Sequence, residues 1–88
     1  MLTKSDYERF AAEKQCVEQA VTMWKEWMSK QNGDRDERAA QGTIHVVHCM
    51  KLSSHQIALL HDFFDAYLSL LEYGEEQAEA FYKTVMRL

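Results

Sequence analysis

The sequence predicts an all-α fold, a small bundle of three to four helices, on three observations. There is no proline, and the only glycines, Gly33, Gly42 and Gly74, divide the chain into long uninterrupted segments. Apolar residues recur at helical rather than alternating spacing. Capping pairs, in which a Ser or Asp precedes a Gln or Glu by three residues, stand at several expected helix starts. An all-β domain needs a turn roughly every 8 to 12 residues, and the Gly, Pro and Asn clusters for such turns are missing. Eighty-eight residues supply apolar surface for one core, so residues 1–88 read as a single helical domain.

The first helix is expected to begin at Thr3 or Ser5, with Ser5 and Glu8 as a capping box, and to run to about Gln31, where Asn32-Gly33 stops it. Its central stripe is Phe10, Val17, Val21, Trp24 and Met28, widened in the second half by Cys16, Ala20, Met23 and Trp27. At about 1.5 Å per residue this rod is near 40 Å long. Trp24 and Trp27 concentrate aromatic surface just before Gly33; core packing is the first reading of them, and a partner-facing role the second.

Residues 32–42 are strongly polar and read as a solvated connection, although Asp34 and Glu37 have the spacing to cap a short helix from Arg35 to about Gln41. Arg35 and Arg38 are candidates for contacting an anion or an acidic partner. Residues 43–52 are rich in β-branched side chains, which favours a strand. A lone strand has no mate in this chain and would leave its backbone unpaired. We therefore expect a helix with Ala40, Ile44, Val47 and Met50 or Lys51 on one stripe, an intersubunit strand being the alternative.

Residues 54–73 hold the densest apolar content. Ile57, Leu60, Phe64, Tyr67, Leu68 and Leu71 fall on one helical face and Leu59, Phe63, Ala66 and Leu70 on a second stripe beside it. One neighbour cannot cover so wide an arc. Asp62, Asp65, Ser69 and Glu72 form the remaining polar strip, with His55 and His61 at its margins. Ser53 with Gln56 caps the start, and Gly74 ends the helix. The last segment places Glu75, Glu76 and Glu79 early and Lys83 and Arg87 late, the order the helix dipole favours, with Ala78, Phe81, Tyr82, Val85 and Leu88 as its apolar stripe.

A formal charge of −4 argues against nonspecific binding of nucleic acid, which relies on clustered Lys and Arg. The N-terminal segment has charges at residues 4, 6, 8 and 9 and no apolar run of the signal-peptide kind. Asp62 and Asp65 interrupt the most apolar helix, so no membrane span is expected. Cys16 and Cys49 read as reduced core residues, and a cytoplasmic location is the expectation.

The chemistry-bearing groups are few. His45, His48 and Cys49 are spaced so that two could meet one ion on a helix, but a tetrahedral zinc site needs two more ligands. CxxC, HExxH and ExxH patterns are absent, so no metal or cofactor is expected. The run His48-Cys49-Met50-Lys51-Leu52-Ser53-Ser54 resembles the phosphorylated-histidine motif of histidine-phosphotransfer domains, in which a histidine and a lysine three residues later share a face of a four-helix bundle. The resemblance spans seven residues and implies a phosphate-accepting His48 with Lys51 beside it; Leu52 stands where those domains have the glycine that admits a response regulator. His61 and Asp65 are spaced for an i, i+4 contact. There is neither a GxSxG nucleophile motif nor a glycine-rich phosphate loop, and no enzyme is expected.

What remains is a protein-binding module: an adaptor, inhibitor or regulatory subunit acting through apolar helix faces with an acidic margin. Leu59, Phe63 and Leu70, with Asp62 and Asp65 at the rim and Trp24 and Trp27 nearby, are the expected partner-binding residues. The wide apolar arc also predicts a homodimer or a stable heteromeric partner. A metal or small-ligand sensor using His45, His48 and Cys49 is one alternative. Another is an accessory protein of the phage or plasmid type that inhibits a host factor, since small acidic single-domain chains without catalytic motifs look like such proteins.

Overall fold

The computed structural model describes residues 2–88, which form five helices: α1 (Lys4–Ala12), α2 (Lys14–Lys30), α3 (Arg35–Cys49), α4 (Ser54–Leu71) and α5 (Glu75–Arg87). Among the described residues there are no strands, so residues 43–49 are helical rather than an intersubunit strand. None of the helices is long and apolar enough to cross a membrane.

The expected long first helix is two helices. Thr3, not Ser5, is the N-cap: its hydroxyl accepts from the Asp6 N–H at 3.2 Å, and the Asp6 carboxylate accepts from the Thr3 N–H at 3.0 Å. The Thr3 N–H, and after it the Thr3 hydroxyl, donate to the Asp6 carboxylate and hold it below the usual range. The helix then breaks at Glu13, whose φ of −116° and ψ of 42° leave the α region. The Glu13 N–H donates back to the Phe10 carbonyl at 3.1 Å, and its own carbonyl accepts from Val17 to open α2. No glycine or proline marks the break. Its cause is tertiary: an unbroken rod would be about 40 Å long, against a longest extent of 35 Å for the whole fold. Bending at Glu13 lays Tyr7 and Phe10 edge-on against Phe81, with Phe10 also against Phe63.

Gly33, at φ +117°, turns the chain after α2. Asp34 caps α3 by accepting from the Glu37 N–H at 3.1 Å. The polar stretch is therefore the first turns of α3 and not a solvated connection. Gly42 is no boundary either, since it lies in mid-helix where α2 and α3 touch most closely. The buried side of α3 is Ala39, Gly42, Thr43 and Val46, while Ala40 and Ile44 face solvent and Val47 is half-buried, so the expected stripe is rotated. The small residues face inward because Trp24 requires their space, and its indole N–H donates to the Ala39 carbonyl at 3.1 Å.

Helix α4 is the centre of the bundle and touches each of the other four. Ser53 and Gln56 form its capping box as expected. Leu59, Leu60, Phe63, Phe64, Tyr67 and Leu71 are all buried, so both apolar stripes contribute to one core. Phe63 stacks on Phe81 with ring centroids 5.1 Å apart and meets Phe10 edge-on at 5.5 Å. Gly74 has φ +142° and serves as the N-cap of α5, whose Ala78, Phe81 and Val85 close the core. Tyr82 is half-buried and Leu88 exposed.

Candidate functional surface

The expected partner-binding residues divide into two groups. Trp24 is 5% exposed and fixed by its bond to Ala39, and Leu59 and Phe63 are at 1% and 0% inside the core. The bend at Glu13 brings Phe10 of α1 onto Phe63, on which Phe81 of α5 also stacks, so the first half of the second stripe of α4 is internal while Ala66 and Leu70 are half-buried. Trp27 is half-buried, and its ring lies over that of His45 with centroids 5.8 Å apart. Asp62 and Asp65 are exposed, and Leu70 is half-buried against the core. Asp62 already has a cation, accepting from Arg9 Nη1 at 2.8 Å.

Leu70 and Asp65 belong to an open groove of about 660 Å³ along the C-terminal half of α4, completed by Leu2, Ala66, Ser69 and Tyr73. Its walls are mainly apolar. Tyr73, in the turn between α4 and α5, is 84% exposed, a large aromatic surface for a position with no packing role. Among the described residues Asp65 takes part in no ion pair, so its carboxylate is free at the rim. Leu2 and Tyr73 were not anticipated from the sequence. The only signal for Tyr73 was its place between the end of the α4 stripe and Gly74.

A second depression of about 380 Å³, between α2, α3, α4 and α5, collects charged groups around Trp24, Tyr67 and Leu71. These groups largely satisfy one another. Lys25 pairs with Glu79 at 2.5 Å, and the Tyr67 hydroxyl donates to the same Glu79 oxygen at 3.2 Å. The hydrogen bond from Lys25 holds the Glu79 carboxyl below its ordinary range, while burial and the Glu79 charge push the Tyr67 phenol well above its own. Arg38 Nη1 donates to the Met28 and Gln31 carbonyls at 3.1 and 3.0 Å and so caps the end of α2, while its buried Nε has no hydrogen-bond partner among the described residues. Among the described residues Arg35 is paired only with its neighbour Asp36.

The histidines and thiols are placed differently from expectation. Cys49 is exposed, not core, with its Sγ 3.7 and 3.6 Å from the two ring nitrogens of His45. His48 points to solvent. Because α3 ends at Cys49, Lys51 lies beyond the helix and does not share a helical face with His48. His61 and Asp65 are both exposed. Among the described residues no three His, Cys, Asp or Glu side chains are grouped to hold a metal ion.

No protein-family model matches the chain, and comparison with curated proteins and with solved structures finds no match either.

Proposed function

We propose that the protein is a small helical binding module that seats a cationic, apolar segment of a partner protein in the groove between Leu2, Leu70 and Tyr73. The observation that carries this reading is the exposed Tyr73 beside a mainly apolar groove with the unpaired Asp65 at its rim. Tyrosine presents a large contact area with few rotatable bonds and is enriched among residues that dominate interfaces. Asp65 and the exposed Glu72 flank the groove, and with a net charge of −4 they favour lysine or arginine on the incoming segment. A second copy of the same chain would present the same acidic margin and is disfavoured as the occupant. Two free thiols and no disulfide suit a reducing, cytoplasm-like compartment.

The test is capture of a stoichiometric partner on the tagged protein, followed by titration of that partner against Tyr73→Ala and Asp65→Lys. Both side chains are exposed, so circular dichroism should be unchanged. Each substitution should weaken binding about tenfold or more, as for a central interface residue, and Asp65→Lys should also reduce the salt dependence of association. Undiminished affinity in both variants refutes the assignment. A homodimer in light scattering that dissociates on Tyr73→Ala would give the groove to self-association instead.

A further inference from the structure

The α2–α3 hairpin carries a second arrangement, remote from that groove. Near its closed end the register is fixed by Trp24 over Gly42 and by the indole bond to Ala39. Eight residues back along α2 stands Cys16, and seven residues on along α3 stands Cys49. At about 1.5 Å per residue, both thiols lie ~11 Å toward the open end and level with one another. Cys16 shares the buried side of α2 with Ala20 and Trp24, and Cys49 continues the row of Gly42 and Val46 on α3. Both line one groove of about 450 Å³, with Met23, Met50 and Leu52 as its apolar walls. Packed helices have axes about 8–10 Å apart and Cα atoms about 2.3 Å from each axis, a spacing at which residues on adjoining faces can reach the roughly 4.4–6.8 Å Cα separation of a disulfide.

The two thiols are unequal. Cys49 is exposed and in contact with His45, whose ring is held against the Trp27 indole. A neutral imidazole at that position can accept the thiol proton and leave the thiolate that reacts. Cys16 is 8% exposed, and burial with Glu13 nearby pushes its thiol up, so it is shielded and protonated.

We propose that Cys49 and Cys16 form a hydroperoxide-sensitive dithiol switch, Cys49 being the attacked thiol and Cys16 the resolving one. The Cys49 sulfur, its proton passed to His45, attacks the peroxide; an S–O bond forms, the O–O bond breaks, and the departing hydroxide leaves as water with that proton. The Cys16 sulfur then attacks the sulfenic sulfur; an S–S bond forms, the S–O bond breaks, and the hydroxyl leaves as a second water with the Cys16 proton. One hydrogen peroxide is reduced by two electrons as two thiols become one disulfide, and a thiol reductant reverses the change. The bond ties the open end of the hairpin.

The experiment treats the full chain with hydrogen peroxide, blocks residual thiols, and reads intact mass and peptide maps. The expected result is a monomer about 2 Da lighter, restored by dithiothreitol, with one peptide joining Cys16 to Cys49. Cys16→Ser should halt at a sulfenic acid on Cys49 that dimedone traps, and Cys49→Ser should give neither product. His45→Gln should slow oxidation about tenfold at neutral pH and remove the histidine step from the pH–rate profile, with helicity unchanged. Disulfide-linked dimers without the internal link, or sulfenic acid appearing on Cys16 first, would overturn the proposal.

Discussion

Gly42→Ala separates two opposing effects by sign. In an exposed helix interior the change stabilises by about 1 kcal/mol, because alanine has the higher helix propensity. At position 42 a Cβ would stand 2.9 Å from both Cδ1 and Nε1 of Trp24 and 3.2 Å from Cε3 of Trp27. Neither indole can move freely: Trp24 is buried and bonded to the Ala39 carbonyl, and it packs on Phe64 and Tyr67. Overpacking of this kind costs about 1–3 kcal/mol, and displacing the indole from Ala39 costs roughly another 1 kcal/mol. The sum exceeds the propensity gain, so Gly42→Ala should lose about 1–3 kcal/mol net. Urea unfolding should show a lower midpoint with an unchanged slope. A midpoint raised by the full propensity gain would refute the close approach of α2 and α3.

Other substitutions test the caps and the buried phenol. Ser53→Ala should cost about 1 kcal/mol in urea unfolding, whereas Ser5→Ala should stay within about 0.5 kcal/mol because Thr3 is the residue that caps α1. Tyr67→Phe should cost about 1 kcal/mol by removing the hydroxyl's bond to Glu79, which keeps Lys25 as its other partner. The Tyr67 phenol is raised in the folded state, so its contribution is complete below the unfolded pKa of about 10 and is lost as pH rises above it. Stability should therefore fall in that alkaline window, and less steeply in Tyr67→Phe; equal slopes in the two proteins would show that the phenol is not coupled to folding.

Helix content was legible because apolar spacing and caps are local properties. The start of α4 was readable from Ser53 and Gln56, and the apolar stripe of α5 was readable apart from Leu88. The break at Glu13 was not, since Phe10, Val17, Val21 and Trp24 fall on one face whether or not the helix bends, and only the distance to Phe63 and Phe81 decides. The face of α3 was misjudged for a related reason: Ile44 and Val47 are more apolar than Ala39 and Gly42, but a tryptophan opposite them needs room more than it needs contact area. Of the residues expected to meet a partner, Asp65 and Leu70 line the groove along α4, which makes that surface legible in part, while Leu59 and Phe63 are buried, because periodicity defines a face of a helix without saying how many neighbours will cover it.

The edge-on meeting of Phe10 and Tyr7 with Phe81 has a consequence for how the chain matures. Phe10 and Phe81 are 71 positions apart, so the interior around Phe63 is sealed only when the first and last of the five helices come together. During synthesis α5 leaves the ribosome last among them, and until it does, Phe10 and Phe63 lack the cover that Phe81 gives them. Phe10 waits for that cover while 71 further residues are added, and Phe63 while 18 are. Closure of this aromatic cluster is thus a late step, one that the contacts among α1 to α4 cannot complete on their own.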